Sequence, residues 1–533
     1  GDEEGCRWSP DFSVKTPTGF AEAYRTFAAG GWPGVGSDPA FGGQGLPQAV
    51  GLMVTEMCSA ANMAFTMYQG LTHGAYSAIR AGGSEAQKAL YLPKLVSGEW
   101  AGSMNLTEPH CGTDLGLLRT QAVPQEDGTY RITGQKIWIS GGEHDLTENI
   151  VHLVLARTPG APAGTAGISL FLVPKFIPDA DGAAGVRNSV RCLGLEEKMG
   201  IHGNATCVMS YEDATGWLVG EENRGLAVMF VMMNYERLGA GMQGVGQAEA
   251  AYQSAVDFAR ERLQGRAIGG ARNPDGPADP IIVHPDIRRL LMNVKAFVEG
   301  SRALIHWTAL QADLEDSAAD DDSRNRARGR MALMTPIVKA FLTDRGFQAC
   351  SEALQVHGGA GYTEHFPVSQ YLRDARIAQI YEGANGIQAL DLVSRKLSGP
   401  AGCAIDEFIE ELEAFGGARA SSVFGQAVSG AAAQLREATD WLRQRAATER
   451  EATAASASDY LHLFGLTATA YMWGLMADAA QARLDSGETD PFYAAKLVTG
   501  RHFVERVLPE AAARLAAVKA GAGALMELPE DSF

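Results

Sequence analysis

The segment Arg373-Asp-Ala-Arg-Ile-Ala-Gln-Ile-Tyr-Glu-Gly-Ala-Asn-Gly-Ile-Gln388 joins a helical pattern to an abrupt break in that pattern. The residues before Glu382 favour a helix, whereas Gly383 and Gly386 interrupt it, because glycine is unfavourable inside helices. A glutamate at such a break can direct its carboxylate into a cleft instead of along the bundle surface. Glu382 is therefore a candidate acid–base residue, although an exposed glutamate at a helix end is the ordinary interpretation of this residue alone.

Helical periodicity continues on both sides of this segment. Apolar residues spaced by three and four positions line one helix face after Gly220, namely Val245, Ala248, Tyr252, Ala255, Val256, Ala259 and Leu263. They predict a C-terminal four-helix bundle over residues 218–398, interrupted by the Pro/Gly-rich loop Gly265–Pro285 and closed by the linker Gly399–Gly402. The same spacing predicts an additional C-terminal helical domain over residues 403–533. Its members are Leu463, Leu466, Ala470, Trp473 and Ala477.

The N-terminal part of the chain changes from helical to β-rich sequence near Gly102. Helical patterns over Gln48–His73 and Glu85–Leu95 predict an N-terminal helical domain over residues 1–99. Short β-rich runs then predict a middle β-barrel or sandwich domain over residues 100–217. These runs are Tyr130–Ser140, Ile150–Arg157, Ile168–Val173 and Cys207–Tyr211. The predicted fold class is therefore α+β, mostly α, with four domains.

Net charge and cysteine content restrict the class of protein. A formal charge of −18 disfavours binding to nucleic acid or to an anionic membrane. Four arginines between Arg324 and Arg330 follow the acidic run Asp320–Asp322, and we interpret them as a solvated loop. Seven scattered cysteines without a C-x-x-C pair indicate neither a disulfide framework nor a metal site, and they favour a cytoplasmic location. The longest apolar run, Leu463–Ala477, is shorter than the roughly 20 residues of a membrane span.

The sequence Gly239-Ala-Gly241-Met-Gln-Gly244 matches the G-x-G-x-x-G pattern of dinucleotide-binding folds. That pattern requires a buried strand before it and an acidic residue roughly 20 positions later. Neither is evident in the sequence, and the surrounding residues favour one continuous helix. We therefore predict that these glycines allow two helices to pack closely.

Three further segments, the third of which combines two separate stretches, suit a flat, phosphorylated ligand. The loop in Met104-Asn-Leu-Thr-Glu-Pro-His-Cys-Gly-Thr-Asp114 can expose backbone N–H groups and small hydroxyls. Gly134-Gln-Lys-Ile-Trp-Ile-Ser140 places a tryptophan beside a hydroxyl, which suits a heteroaromatic ring, although a buried core tryptophan is the alternative. Arg262 offers forked donors for a pyrophosphate, and the glycines of Gln355-Val-His-Gly-Gly-Ala-Gly361 permit close approach of the backbone to a nucleotide.

Together the four segments resemble the acyl-CoA dehydrogenase family over nearly the whole chain. They match L-T-E-P-x-x-G-S-D, with Thr113 for the serine, and G-x-K-x-W-I-T. They also match R-D-A-x-I-x-x-I-Y-E-G-T-x-x-I-Q, with Ala384 and Gly386 for a threonine and a glutamine that contact flavin in the family. The resemblance implies an FAD-dependent oxidoreductase that converts an acyl-CoA thioester to the 2-enoyl-CoA. It also implies electron-transfer flavoprotein as electron acceptor, and a homodimer or homotetramer, because the family binds one FAD across a subunit interface.

The resemblance assigns ligand contacts residue by residue. The residues implied to contact FAD are Leu106, Thr107, Gly112, Thr113, Trp138, Ser140, Arg262, His284, Gln355 and Gly359. The residues implied to contact the acyl-CoA are Met104, Asn234, Arg237, Tyr381 and Gly383. Two of these positions depart from the family pattern. Arg262 lies in a segment that lacks the phenylalanine of R-x-x-F-G, and His284 stands where the family has a glutamine.

Two glutamates are candidates for the base that removes the α-proton. The resemblance gives this role to Glu382. Some branches of the family instead carry the base on a bundle helix, immediately before a substrate-binding arginine, and here Glu236 precedes Arg237. Those branches usually lack the glutamate of I-Y-E-G, which this chain retains, so Glu382 is the predicted base and Glu236 is its rival.

The acyl group is indicated by a finer resemblance. The segments Glu196–Gly203 and Gly216–Gly220, with the additional C-terminal domain, are similar to large bacterial members, notably the 3-methylmercaptopropionyl-CoA dehydrogenases of dimethylsulfoniopropionate catabolism. This implies methylthioacryloyl-CoA as product, with medium-chain, long-chain or aryl acyl-CoA substrates as alternatives. DNA-associated flavoproteins of the same fold need a basic face, which the net charge disfavours, and a non-catalytic scaffold is the third alternative. Compared with the family, the N-terminal domain is expected to lack its opening helices, either by truncation or by divergence of the sequence.

Overall fold

The computed structural model describes the chain except for the side chains of residues 399–401. The predicted Gly399–Gly402 linker is instead the start of a helix that begins at Gly399. The chain forms two compact units, Gly1–Gly239 and Ala240–Phe533. The mostly helical α+β fold predicted from the sequence is confirmed.

The first unit contains a helical region. Its helices are α1 (Phe20–Ala29), α2 (Gln48–Gly82), α3 (Glu85–Ser97) and the first part of α4 (Gly225–Glu261). Helix α3 begins at a capping box, in which Ser84 and Gln87 each accept the other's backbone N–H. It ends at Gly98, whose φ of 76° is the left-handed conformation that glycine adopts readily. The predicted helix Glu85–Leu95 is confirmed and extends further, whereas the predicted Gln48–His73 helix is interrupted by a kink at Asn62, with φ −163° and ψ 98°, before it continues to Gly82.

A mixed β-sheet occupies the middle of the first unit. The strands are β1 (Arg7–Trp8), β2 (Val14–Lys15), β3 (Trp100–Asn105), β4 (Gln121–Pro124), β5 (Tyr130–Ser140), β6 (Asn149–Ala156), β7 (Ser169–Pro174), β8 (Phe176–Pro178), β9 (Ala184–Arg187), β10 (Val190–Leu195) and β11 (Thr206–Val219). Seven of them form one sheet, in the order β3-β6-β7-β11-β5-β4 with β10 beside β11. Strands β3 and β6 are parallel, and Ala122 N donates to Arg157 O at 2.8 Å, so β4 meets the end of β6. The predicted β-rich middle region is confirmed.

Strand β11 is longer than the predicted run Cys207–Tyr211. Its pairing with β5 shifts register between Cys207 and Met209 and again between Tyr211 and Ala214. Each shift is a β-bulge, which interrupts the alternation of side chains by which a strand is recognised in a sequence. The predicted strand therefore ends at the second bulge, although the strand itself continues to Val219.

The central strands β6 and β7 are buried on both faces. Leu153 of β6 packs in a cluster that includes Leu71 and Leu92 of the helical region. The next residue, Val154, packs in a second cluster that includes Ile132. Because successive side chains of a strand point to opposite faces, the sheet separates two apolar cores.

The second unit is helical. After the rest of α4 it contains α5 (Pro285–Ser317), α6 (Asp321–His357), α7 (Val368–Ile377), α8 (Asn385–Asp391), α9 (Gly399–Ala418), α10 (Val423–Arg445), α11 (Arg450–Ala455), α12 (Ala457–Asp485), α13 (Pro491–His502), α14 (Glu510–Ala520) and α15 (Gly523–Glu527). The five residues of the predicted C-terminal helical face all lie buried on α12, which confirms that periodicity. Among the described residues, no helix combines the length and the apolar character that crossing a membrane requires.

The arginines that follow Asp320 lie on a helix, so their interpretation as a solvated loop is wrong. Helix α6 begins at Asp321, and the Asp320 side chain caps it by accepting from Ser323 N at 2.8 Å. Two further aspartates in the first turn stabilise the same helix end, because their negative charge is attracted to the positive end of the helix dipole. The acidic run thus starts a helix, and Arg328 Nε donates back to Glu315 of α5 at 2.7 Å.

Two glycines of the G-x-G-x-x-G match, Gly241 and Gly244, allow close helix packing, as predicted, whereas a Cβ on Gly239 would meet open space. They lie inside the single helix α4. A Cβ on Gly244 would stand 2.8 Å from Leu342 O of α6, and one on Gly346 of α6 would stand 2.5 Å from Gly244 O. Both neighbours are backbone atoms, which cannot move away without shifting a helix. Glycine is therefore required where α4 and α6 cross.

Gly346→Ala is expected to destabilise the protein although alanine is the better helix former. The added methyl group must push apart two backbones, which costs about 1–3 kcal/mol. Gly430→Ala, in open space on the exposed face of α10, is the matched control and should raise the free energy of unfolding by about 0.5–1 kcal/mol. Thermal and denaturant unfolding of both variants measures the difference, and equal stabilisation by both would contradict the close crossing.

Candidate active site

The loop that follows β3 is joined to strand β5. Lys136 Nζ donates to Leu106 O at 2.9 Å, and Ile137 N donates to Thr107 O at 2.9 Å. A Cβ on Gly112 would lie 3.3 Å from the Thr107 side chain, so the loop folds back on itself. The structure thus brings Leu106, Thr107 and Gly112 beside the strand that carries Trp138 and Ser140, whereas the side chain of Thr113 is exposed.

A buried ion pair holds this loop and was missed in the sequence. Glu108, 3% exposed, accepts from Lys136 Nζ at 2.8 Å, and Lys136 is inaccessible to solvent. Glu108 also accepts from the Thr120 hydroxyl at 2.6 Å and from Arg119 N at 2.7 Å. Burial opposes the charged carboxylate, but Lys136 and these hydrogen bonds hold the pKa of Glu108 below its ordinary value. Both residues lie within the two quoted motifs, so their place in those motifs was the signal in the sequence that could have indicated the pair.

Trp138 is exposed and conformationally strained. Its side chain is 60% exposed, and its φ is 59°, in the left-handed region that bulky residues rarely adopt. The strain coincides with the first register shift between β5 and β11, where a β-bulge re-aims side chains. Ser140, two residues later, accepts at its carbonyl from Ser103 Oγ at 3.2 Å. An exposed, strained indole is an arrangement characteristic of ligand contact, and core packing does not explain it.

Lys136→Met is expected to lower the free energy of unfolding by about 3–5 kcal/mol at neutral pH, because it leaves the Glu108 carboxylate buried without its cation. The lowered pKa of Glu108 means that the native pair stabilises the fold above the ordinary glutamate pKa and loses this contribution as pH falls through the lowered value. The stability difference between the wild type and the variant should therefore shrink as pH falls below 4.5, the ordinary value from which the pKa of Glu108 is lowered. Thermal unfolding across this range is the measurement, and a difference that grows on acidification would contradict the pairing.

Helices α2 and α4 enclose the rival glutamate in the first unit. Glu236 is 8% exposed, and its carboxylate would lie only 3.0 Å from a Cβ on Gly74 and 3.3 Å from one on Gly70. His73 of α2 packs against Tyr235, with ring centroids 4.4 Å apart. Burial lowers the pKa of His73 to about 4, so this imidazole is neutral at physiological pH.

The predicted acyl-CoA contacts of the first unit lie on α4 and β3. Arg237 Nη1 donates to Asn234 Oδ1 at 3.2 Å, so these two α4 residues are neighbours. The guanidinium of Arg237 also lies 5.9 Å from the ring centroid of Phe230. Met104, on β3, is half-buried against the apolar cluster that contains Leu153.

Glu382 lies in a tight turn between α7 and α8 of the second unit, as the predicted helix break requires. Its φ is 57°, and that of Gly383 is 86°, so two successive residues adopt left-handed conformations. The Glu382 side chain is half-buried. Tyr381, the preceding residue, donates its hydroxyl to Gln243 Oε1 of α4. Gln388 Nε2 donates to Gly383 O at 3.3 Å and so closes the far side of the turn.

A second buried lysine supports this turn and was also missed. Lys339 of α6 is inaccessible to solvent, and its Nζ donates to Gly383 O at 2.8 Å and to Asn385 Oδ1 at 2.7 Å. The ammonium therefore fixes the backbone immediately after Glu382. The signal in the sequence was a lone lysine within the apolar stretch Ile337–Leu342.

Arg262 and His284 lie at the two ends of the loop that follows α4. Arg262 is exposed, and its carbonyl accepts from Ile281 N at 2.8 Å. His284 Nε2 donates to Gln264 O at 2.7 Å, so one nitrogen of the imidazole ring is already hydrogen-bonded within the loop. Asp279, another residue missed in the sequence, accepts from three loop amides, of Ala267, Arg272 and Asn273. These hydrogen bonds lower the pKa of Asp279 to about 2.

Gln355 and Gly359 are exposed at the C-terminal end of α6. His357, between them, stacks on Phe258 of α4 with ring centroids 4.7 Å apart. Arg262 N donates to Phe258 O at 2.9 Å. The second unit thus gathers the residues predicted to bind the nucleotide at one end of its helices.

The sequence matches family models along most of its length. The acyl-CoA dehydrogenase N-terminal domain matches residues 13–99, the middle domain 103–214 and the C-terminal domain 223–397, and an acetyl-CoA dehydrogenase C-terminal-like domain matches 404–529. The 3-methylmercaptopropionyl-CoA dehydrogenase of Ruegeria pomeroyi is 44% identical over 519 residues, which are 96% of this chain and 87% of the relative. The chain belongs to the acyl-CoA dehydrogenase family.

Further relatives agree with this assignment. A butyryl-CoA dehydrogenase of Syntrophomonas wolfei is 34% identical over 100% of this chain and 90% of its own. The crystal structure of an acyl-CoA dehydrogenase complexed with FAD from Bacillus anthracis has the same fold, with a TM-score of 0.77 and 22% identity over 94% of this chain and 82% of that one. The predicted function is confirmed at the level of the family: the protein is an oxidoreductase that uses FAD to dehydrogenate an acyl-CoA.

Proposed function

We propose that Glu382 is the base that removes the α-proton of the acyl-CoA thioester. The observation that supports this most strongly is its left-handed conformation in a turn anchored by Lys339. A strained, non-glycine residue persists only where its surroundings enforce it, and such residues cluster at active sites. The same turn carries the other proposed thioester contacts, Tyr381 and Gly383.

The exposed, strained Trp138 fits the side of a flavin ring, and the exposed Arg262 guanidinium fits a pyrophosphate. We propose that Leu106, Thr107, Gly112, Thr113, Trp138 and Ser140 hold the ring of FAD, and that Arg262, His284, Gln355 and Gly359 hold its nucleotide. When bound, FAD supplies the acceptor for the hydride that leaves the β-carbon. The chain's own residues bind and orient the thioester and accept the proton.

The α-proton of a thioester is a very weak acid, so the site must stabilise the negative charge that develops on the carbonyl. We propose that the backbone N–H of Glu382 donates to this oxygen while its carboxylate takes the α-proton. The two electrons of the α C–H bond form the new α,β double bond as the β-hydrogen departs with its electron pair. Arg237, with Asn234 beside it, binds the CoA portion, and Met104 lines the acyl portion.

Glu236 is a weaker candidate for the base. It lies in regular helix, and its carboxylate is buried where α4 packs on Gly70 and Gly74 of α2. We propose that Glu236 has a packing role.

Glu382→Gln is expected to lower the rate of flavin reduction by acyl-CoA by about 10²- to 10⁴-fold, because an amide cannot accept the α-proton. FAD content and melting temperature should stay close to wild type. Glu236→Gln is the matched control. It should reduce the rate less than about tenfold, which is well below the loss expected when a general base is removed. Anaerobic stopped-flow absorbance of the flavin measures both variants. The opposite ranking would transfer the role of base to Glu236.

We propose 3-methylmercaptopropionyl-CoA as the substrate and methylthioacryloyl-CoA as the product. Support comes from the identity of 44% to the Ruegeria pomeroyi enzyme, against 34% to the butyryl-CoA dehydrogenase of Syntrophomonas wolfei. A linear short-chain acyl-CoA is the second candidate, because the thioether chain and a linear acyl chain of similar length differ mainly at one atom.

Anaerobic bleaching of the flavin by a panel of acyl-CoA thioesters tests the substrate. The panel comprises 3-methylmercaptopropionyl, butyryl, octanoyl and phenylpropionyl thioesters. The first should give a second-order rate constant of reduction at least about tenfold above that of octanoyl-CoA, as expected for a pocket matched to chain length. Faster bleaching by the octanoyl or phenylpropionyl thioester would identify a longer-chain or aryl substrate.

We propose that the reduced enzyme passes its electrons to an electron-transfer flavoprotein and that it forms a homodimer or homotetramer in the cytoplasm. An oligomer is supported by the family pattern, which binds one FAD between subunits. A reducing compartment fits the cysteines, since within the described part of the chain no two of them form a disulfide. Light scattering at several protein concentrations measures the oligomeric state, and a monomer with bound FAD would contradict the shared cofactor site.

A further inference from the structure

We propose that His462, from the C-terminal helical domain, is a positioning residue for the turn that carries Glu382. The proposal rests on the proposed role of Glu382 as the base. His462 lies on α12, and Asp344 of α6 connects it to the turn. The additional domain thereby contributes directly to the order of the active-site turn.

Asp344 receives hydrogen bonds from three side chains, one on α12 and one at each end of the turn. His462 Nε2 lies 3.0 Å from Asp344 Oδ2. The other carboxylate oxygen, Oδ1, accepts from Gln379 Nε2 at 2.7 Å and from Asn385 Nδ2 at 2.7 Å. One side chain therefore joins α12 to both ends of the turn.

Gln379 and Asn385 bracket the turn on either side of Glu382. Asn385 N also donates to Gln379 O at 3.1 Å, so the two residues are joined through backbone as well as through Asp344. Asn385 Oδ1 accepts from the buried Lys339 at 2.7 Å. These hydrogen bonds join the two ends of the segment 379–385, and they thereby hold the backbone on both sides of Glu382.

The link from α12 is sheltered from water, so it can hold a geometry. The side chains of His462 and Asp344 are 13% and 28% exposed. The His462 ring also packs edge-on against Phe341, with centroids 5.8 Å apart, which fixes its orientation. Burial alone would favour a neutral Asp344, but His462, Gln379 and Asn385 hold the pKa of this carboxyl below its ordinary value. Asp344 is therefore a charged acceptor at neutral pH.

Loss of the His462 donor leaves Asp344 free to turn towards its amide partners or towards water. Small displacements of a catalytic group reduce rates strongly, because proton transfer needs the base within hydrogen-bond reach of the proton. We therefore expect a lower rate of α-proton removal with little change in substrate binding. A purely structural link would instead lower stability or cofactor content.

Three variants separate these possibilities. His462→Phe keeps a ring against Phe341 but removes the donor to Asp344. His462→Gln is the conservative variant, because its amide nitrogen can occupy the place of Nε2 and restore the hydrogen bond. Lys496→Gln is the matched control: it breaks another contact between the C-terminal domain and α5, from Lys496 Nζ to Glu299 Oε2 at 2.7 Å, that shares no residue with the Asp344 group.

The first measurement is hydrogen–deuterium exchange of the intact FAD-loaded protein, followed in a peptide that covers residues 379–385. His462→Phe should speed exchange in this peptide at least about tenfold, whereas His462→Gln and Lys496→Gln should match wild type. A roughly tenfold faster exchange is expected because local opening of the turn no longer has to break one hydrogen bond to a charged group. Melting temperature and FAD absorbance are recorded for every variant.

The second measurement is the limiting rate of anaerobic flavin reduction and the substrate dissociation constant from the same titration. His462→Phe should lower the limiting rate by about 10- to 100-fold and leave the dissociation constant within about twofold. His462→Gln should recover most of the rate. A primary deuterium isotope effect from α-deuterated substrate should persist in the variant, because C–H cleavage is the step that slows.

Wild-type exchange and wild-type reduction in His462→Phe would overturn the proposal. An equal loss in Lys496→Gln would also overturn it, since the effect would then belong to domain docking in general. Failure of the proposed function has a different signature. In that case Glu382→Gln would still reduce the flavin at the wild-type rate, whatever the exchange data show for residues 379–385.

Discussion

The turn that carries Glu382 depends on one buried ammonium group, that of Lys339. Its Nζ donates to the carbonyl of Gly383 at 2.8 Å and to the amide oxygen of Asn385 at 2.7 Å, away from solvent. An uncompensated buried ammonium would cost several kcal/mol. The lysine and the turn are therefore mutually dependent: the turn supplies acceptors that make burial tolerable, and the lysine fixes a backbone in which Glu382 adopts an otherwise unfavourable φ of 57°.

The first unit uses a similar arrangement in the loop that follows β3. Lys136 is equally buried, and it donates to the carbonyl of Leu106 and to the carboxylate of Glu108. In both units a lysine on a regular element reaches an irregular segment, so that a rigid helix or strand sets the position of a loop. In both units a non-glycine residue nearby, Trp138 or Glu382, has a left-handed backbone. Each of these two strained residues thus lies close to a backbone that a buried lysine holds.

The sequence was sufficient for features encoded locally. The helices α2 and α3, the strand β5 and the break at Glu382 follow from periodicity and glycine placement within short windows. The two buried lysines were missed because their partners are distant: Lys136 and Glu108 are 28 positions apart, and Lys339 and Asn385 are 46 apart. The run of arginines after Asp320 was misinterpreted for a related reason, since the same aspartates that suggest a solvated loop also cap a helix.

The two candidate glutamates illustrate how backbone conformation separates chemically identical side chains. Glu236 lies in regular helix, and its carboxylate is enclosed by Gly70 and Gly74 of the neighbouring helix. Glu382 lies outside regular structure, in a strained conformation that costs on the order of 1–3 kcal/mol and is held by Lys339. A packing residue has no need of such strain, because a helix would bury it equally well. The position of Glu382 is instead set by the turn, whose backbone Lys339 holds at Gly383 and Gln388 closes on the far side, so a base at this place depends on the surroundings that enforce the strain.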